Sequence, residues 1–118
     1  MTASQPDAET IAADVFTALA DPTRRHILAE LARRGPATAT DLADRLPISR
    51  QAIAKHLTLL GDAGLVRPET GERRRVRFHP NAQPVRVAQA FLAALAQDWD
   101  NRLGALEDHL NRRSETNP

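Results

Sequence analysis

Residues 49–65 read Ser49-Arg50-Gln51-Ala52-Ile53-Ala54-Lys55-His56-Leu57-Thr58-Leu59-Leu60-Gly61-Asp62-Ala63-Gly64-Leu65, and their pattern decides the fold. Ser49 is an N-cap type, whose hydroxyl bonds the free backbone N–H groups of a first helical turn. Ile53, Leu57 and Leu60 then recur at helical spacing and form one apolar face. Arg50, Gln51, Lys55 and His56 lie off that face. Side chains of these types bond phosphates and base edges in a DNA major groove. Gly64 supplies a helix stop.

The residues upstream supply a partner for this helix. A short helix is expected over Asp41 to Leu46, capped by Thr40, with Leu42 and Leu46 facing inward. Pro47-Ile48 is then a tight turn, with proline where many such motifs carry glycine. Residues 40–63 thus read as helix, turn, helix, the arrangement that places its second helix in a major groove. Further back, Ile11, Val15, Phe16 and Leu19 follow at helical spacing in an alanine-rich background. Asp21-Pro22 closes that helix and opens another, which turns Ile27, Leu28 and Leu31 inward and stops at Gly35-Pro36.

Downstream, Leu65 to Glu69 is a short strand that Pro68 confines to an edge, and Glu69 to Glu72 is a turn. From Arg73 to Phe78 the chain alternates, with Val76 and Phe78 on one side and Arg75 and Arg77 on the other. The expected fold is mainly α with a small two-stranded antiparallel wing. Residues 84–110 form one long helix, about 40 Å at 1.5 Å per residue. Its stripe of Val87, Phe91, Leu95, Trp99, Leu103, Leu106 and Leu110 exceeds what so small a core covers. Two covers fit that stripe: the same helix of a second copy, or the chain's own domain. The expected organisation is a flexible stretch 1–8, one winged helix-turn-helix domain over 9–110, and a polar tail 111–118.

The net charge of +1 hides an uneven distribution. Residues 21–79 carry twelve Lys/Arg and seven Asp/Glu, whereas the rest carries four Arg and eight Asp/Glu. A basic middle between acidic ends suits a segment that meets a polyanion. The sequence has no cysteine, hence no disulfide, thiolate metal site or cysteine nucleophile. No apolar run approaches the ~20 residues of a membrane span, and no secretory signal is visible, so a cytoplasmic location is expected. Catalysis finds no support. Ser49 and His56 sit about 10 Å apart in helical rise, and no phosphate loop or nucleotide fingerprint occurs.

Within the helix-turn-helix reading, Ser49, Arg50, Gln51 and Ala52 come nearest the bases. Arg50 suits guanine, Gln51 adenine and Ala52 a thymine methyl. Lys55 and His56, a turn further on, suit phosphates, as does Thr40 at the start of the preceding helix. Arg73, Arg74, Arg75 and Arg77 suit a wing that tracks the backbone or enters the minor groove. Arg24 and Arg25 fit two roles, DNA contact or bonds to carboxylates such as Asp21 or Glu30. A second reading, a winged-helix module that docks protein instead of DNA, is separated from the first by this basic set, which protein docking does not need.

The run Phe16-Thr17-Ala18-Leu19-Ala20-Asp21-Pro22-Thr23-Arg24-Arg25-His26-Ile27-Leu28 closely resembles the opening of ArsR/SmtB-type bacterial transcriptional repressors. Asp41-Leu42-Ala43, Ser49 to Leu57, Ala63-Gly64-Leu65-Val66 and Gly71-Glu72-Arg73-Arg74 continue the likeness in order, over residues 14–80. The resemblance implies a homodimer through the first and last helices. That puts Val15, Phe16, Leu19, Phe91, Leu95, Trp99, Leu103 and Leu106 at the interface. It also implies operator DNA as partner, an inverted repeat and possibly the gene's own promoter. Family members that sense metals use cysteines before the recognition helix, absent here, or spaced Asp and His ligands on the last helix. Asp98, Asp100, Glu107, Asp108 and His109 do not match that spacing. No metal and no cofactor is therefore expected, and Trp99-Asp100-Asn101-Arg102-Leu103 with Leu106 resembles a metal-independent branch. The sequence identifies no small-molecule effector.

Overall fold

Capping chemistry sets where the helices begin. The computed structural model of the chain describes residues 7–116. Asp7 accepts a hydrogen bond from the Thr10 N–H at 2.8 Å and opens α1, Ala8–Leu19. Asp21 accepts from the Thr23 and Arg24 N–H groups at 2.7 and 3.2 Å and opens α2, Pro22–Arg34. Pro22 occupies the first helical position, where no N–H is needed. The backbone N–H groups aimed at them hold both carboxyls below the ordinary carboxylate range: Thr10 acts on Asp7, and Arg24 above all on Asp21. The expected flexible stretch thus yields to helix at Ala8; its residues 1–6 lie outside the described ones.

A short strand β1, Ala37–Thr38, leads into α3, Ala39–Arg45. Thr38, not Thr40, caps α3. The Asp41 N–H donates to Thr38 Oγ1 at 3.0 Å, and the Thr38 N–H donates to Asp41 Oδ2 at 3.1 Å. This reciprocal box satisfies two free donors, and no carboxylate stands three residues after Thr40 to do the same for it. Ser49 caps α4, Arg50–Asp62, as expected, with the Ala52 N–H donating to its hydroxyl at 3.1 Å. At the exit of α4, the Gly64 N–H bonds Gly61 O and the Leu65 N–H bonds Leu60 O, both at 2.9 Å. Gly64, at φ +74, makes the left-handed step that this paired termination requires.

The wing has three strands, not two. β2, Val66–Thr70, and β3, Val76–Pro80, pair antiparallel, and β1 pairs with the other edge of β3 in the order β1-β3-β2. Two residues are too few for a readable alternation. Pairing with β3 makes β1 a strand, in the register Ala37↔Phe78 and Thr38↔Arg77. Between β2 and β3 the Arg75 N–H bonds Glu72 O at 3.3 Å, and Arg73 and Arg74 have φ of 58° and 59°. This reversal replaces the strand expected from Arg73, which begins only at Val76.

The buried core comprises Ala12, Val15 and Ala18 of α1, Ile27 and Leu31 of α2, Leu42 of α3, and Ile53, Leu57 and Leu60 of α4, together with Ala37, Leu65, Val66 and Ala88. Glu30 is buried too, and is matched by Arg33 at 2.7 Å, Arg34 at 3.1 Å and Arg45 at 4.0 Å. Arg24 takes one of the roles foreseen for it, with its Nη1 3.9 Å from Asp21 Oδ2, and both arginines also take a role not foreseen. They hydrogen-bond carbonyls at the end of α1: Arg24 bonds Ala18 O at 2.6 Å and Thr17 O at 3.2 Å, and Arg25 bonds Leu19 O at 2.6 Å. A guanidinium donor suits orphan helix carbonyls and the negative end of the helix dipole.

The last helix, α5, runs Gln83–Thr116 over 34 residues, about 51 Å at 1.5 Å per residue. It continues through most of the expected polar tail, because residues 111–116 hold no glycine or proline to stop it. Residues 117–118 lie outside the described ones. Residues up to Ala88 make one compact unit and those from Gln89 a second. In the second, Leu92, Leu95, Trp99, Leu103, Leu106 and Leu110 are all exposed, Trp99 at 60% and Leu103 at 63%.

Candidate nucleic-acid interface

Three separate segments converge on one groove of about 490 Å³. Thr38, Ala39, Thr40 and Asp41 come from the start of α3, Arg50 from the start of α4, and Arg74, Arg75, Val76 and Phe78 from the wing. Of the expected contact residues, Thr40, Arg50, Arg74 and Arg75 are thus brought together. Thr40 is exposed at the second position of α3 and remains beside the groove although it does not cap the helix. The groove combines cationic side chains with the positive end of α4, a combination that attracts anions. Asp41 adds one negative charge. Its carboxyl is held below the ordinary range chiefly by the Thr38 backbone N–H, with help from the Thr38 hydroxyl and the charges of Arg45 and Arg77.

Ser49 spends its hydroxyl on the helix cap, which leaves Arg50 and Gln51 as the exposed polar side chains at the very start of α4. Ala52 is half-buried and Lys55 exposed. His56 is less available than expected. It is half-buried, and its Nδ1 is turned into the protein without a hydrogen-bond partner.

The wing arginines divide. Strand alternation puts Arg77 on the sheet face opposite Val76 and Phe78. There it lines a second hollow of about 540 Å³ with Arg73, Arg75, His79, Glu69, Glu72, Gly71 and Pro36. Glu69 stands directly across from Arg77 in the ladder, yet its carboxylate bonds His79 Nε2 at 2.6 Å. The apolar side of the wing covers the helices only in part, since Phe78 is half-buried but Val76 is 37% exposed.

Among the residues expected at a dimer surface, Val15 is 1% exposed and belongs to the core of its own unit rather than to an open face. Leu19 and Phe91 are half-buried, Phe16 is 39% exposed, and Leu95, Trp99, Leu103 and Leu106 are exposed. Among the described residues no group of three or more His, Asp or Glu side chains is placed to hold a metal ion. No helix there is long and apolar enough to cross a membrane. One residue that the sequence reading passed over is Asn81, just after β3. Its amide donates to Gly64 O at 2.9 Å and its carbonyl accepts from Arg67 at 3.2 Å. Nothing local in Pro80-Asn81-Ala82 signals either contact.

Residues 19–69 match a family model described as a helix-turn-helix domain. The chain is 47% identical over 73 residues to the uncharacterized HTH-type transcriptional regulator YuzN of Bacillus subtilis, covering 57% of this chain and 79% of that protein. The transcriptional repressor SdpR of the same organism is 43% identical over 53 residues, 45% of this chain and 58% of the relative. Among solved structures, an ArsR-like transcriptional regulator from Rhodococcus sp. RHA1 superposes with a TM-score of 0.78 at 40% identity, over 85% of this chain and 92% of that one. Likeness over nearly the whole length of that regulator joins a groove built from α3, α4 and a basic wing, and both agree with the motifs read from the sequence. The chain belongs to the ArsR family of winged helix-turn-helix proteins and is a DNA-binding transcriptional regulator.

Proposed function

We propose that this regulator is a repressor that binds an inverted-repeat operator as a homodimer. The observation that carries the reading is the groove where Thr40, Arg50, Arg74 and Arg75 meet. It couples a base-reading helix start to a backbone-tracking wing within one half-site. Arg50 and Gln51 read base edges, Ala52 meets a thymine methyl, Ser49 orders the helix start, and Thr40, Lys55, Arg74 and Arg75 bond phosphates. Arg73 and Arg77 serve the backbone further along, and His56 contributes a phosphate bond through the ring edge that is not turned inward. The exposed stripe Leu95, Trp99, Leu103 and Leu106, with Phe91 and with Phe16 and Leu19 of α1, is covered by a second copy, so that two α4 helices meet half-sites about one helical turn apart. The repressor named among the relatives supports the sign of regulation. The protein works in the cytoplasm, without metal, cofactor or catalytic step.

The test is binding to fluorescent duplexes from the gene's own upstream region and from a randomised pool, with the oligomeric state measured in parallel. Selection of an inverted repeat by a dimer, with affinity that falls steeply as salt rises, is the expected result. A well-folded protein that binds no duplex at low salt overturns the proposal in favour of a protein-docking module.

A further inference from the structure

Asn81 sits where three elements meet. Its side-chain amide donates to Gly64 O at 2.9 Å, at the left-handed exit of α4. Its side-chain carbonyl accepts from Arg67 of β2 at 3.2 Å and from the Gln83 N–H, which opens α5, at 3.3 Å. Its own N–H bonds Leu65 O at 2.8 Å, extending the ladder one residue past the Val66↔Pro80 pair. Pro84 packs near the same turn, since a methyl group added at Gly64 would stand in ordinary contact, 3.5 Å, with Pro84 Cγ. The Gly64 and Leu65 N–H groups are already used within the helix termination. The bond from Asn81 therefore takes the free carbonyl of that turn and fastens it to the base of the wing.

We infer that Asn81 is a positioning residue for DNA binding: it fixes the direction in which the wing leaves α4, and thereby sets Arg74 and Arg75 at the groove they share with Arg50. This rests on the reading of that groove as the DNA face. Without Asn81 the wing keeps its strand pairing but loses the side-chain tie between its base and the recognition helix. The tip then samples a range of positions, and its phosphate contacts weaken. A residue that carries no charge and lies away from the groove lining would thus alter the electrostatic part of binding.

The experiment has two arms. In the first, the probe is a duplex selected by the wild-type protein from a randomised pool. Asn81→Ala, checked for unchanged helical circular dichroism, is expected to bind about tenfold more weakly. The slope of log affinity against log salt is expected to flatten by about one. Arg74→Ala costs about tenfold in the wild-type background and under about threefold when combined with Asn81→Ala. Asn81→Asp keeps an acceptor for Arg67 and Gln83 but cannot donate to Gly64 O, and falls between wild type and Asn81→Ala. Additive losses, or an unchanged salt slope, overturn the inference and leave Asn81 a purely structural residue. The second arm needs no DNA. The chain has no cysteine, so Ala54→Cys and Thr70→Cys take spin labels on α4 and on β2 without competition. The distance distribution between the labels broadens in Asn81→Ala if Asn81 holds the wing, and an unchanged distribution overturns that. If wild type binds no duplex, the DNA reading fails in the first arm while the second still decides whether Asn81 holds the wing.

Discussion

Two helices in this chain carry the same amphipathic pattern and meet opposite fates. In α4 the stripe of Ile53, Leu57 and Leu60 is fully buried against the other helices of its unit. In α5 beyond Gln89, an equally regular stripe from Leu95 to Leu110 stays exposed. Periodicity alone says that a helix has an apolar face; it does not say whether the covering surface lies in the same chain. The difference divides the labour. α4 is anchored by its buried face and leaves its polar face outward, whereas the apolar face of α5 beyond Gln89 is left exposed, where the proposed second copy would cover it.

The sharpest way to break the contrast is one substitution made in both helices. Leu57→Ala opens a cavity in the core and costs about 2–5 kcal/mol, read as a fall of ten degrees or more in melting temperature. Leu103→Ala, at a protein concentration where subunits separate, changes stability by less than about 0.5 kcal/mol. Equal losses at the two sites would mean that α5 is covered by its own chain after all. The next effect in size is on assembly. Trp99→Asp leaves the first unit folded, shifts sedimentation to that of a monomer, and lowers affinity for a two-half-site operator by roughly a hundredfold or more, because the link between two binding heads is lost. A Trp99→Asp protein that still sediments as a dimer would remove α5 from the interface.

On the α4 side, Arg50→Ala is expected to lose about 1–3 kcal/mol of discrimination at one base-pair position, measured on duplexes varied one position at a time. Equal weakening on specific and random duplexes would demote Arg50 to a phosphate contact. Smaller again is the cap of α3. Thr38→Ala removes the hydroxyl half of the capping box and costs about 1 kcal/mol. Asp41 has its carboxyl lowered in the folded state chiefly by the Thr38 N–H, so its stabilising share is present above the ordinary carboxylate pKa and lost as pH falls through the lowered one. Asp41→Asn, which carries no carboxylate to be lowered, should therefore show a shallower fall of melting temperature with acid than wild type. Parallel curves would mean that the loss with acid arises elsewhere than at Asp41.

What was legible in the chain follows from locality. Asp21, Ser49 and Gly64 act on backbone groups within a few residues, so helix boundaries around them could be read directly, and the periodic stripe of α4 gave its inward face. Thr38 was legible in principle, through Asp41 three residues on, but Thr40 is an equally good cap type taken alone. β1 was not legible, because two residues become a strand only when β3 lies beside them. The inward turn of His56, the use of Arg24 and Arg25 on the carbonyls of α1, and the reach of Asn81 to Gly64 across 17 positions all depend on packing that no local pattern announces. The groove shared by Thr40, Arg50, Arg74 and Arg75 is assembled in the same way, from residues individually suspected but joined only by the fold.

The tip of the wing has one more consequence. Two successive left-handed residues favour Asn-Gly, and each residue bearing a Cβ there raises the free energy of the turn. Arginine at both positions makes the hairpin less stable than its length allows, so the pair is poorly explained as a device for folding. Replacing Arg73-Arg74 by Asn-Gly should raise melting stability by up to about 1 kcal/mol while weakening DNA binding, so selecting for a more robust hairpin would yield a poorer regulator. On the proposed DNA reading, the turn is a place where durability and occupancy of the operator pull in opposite directions.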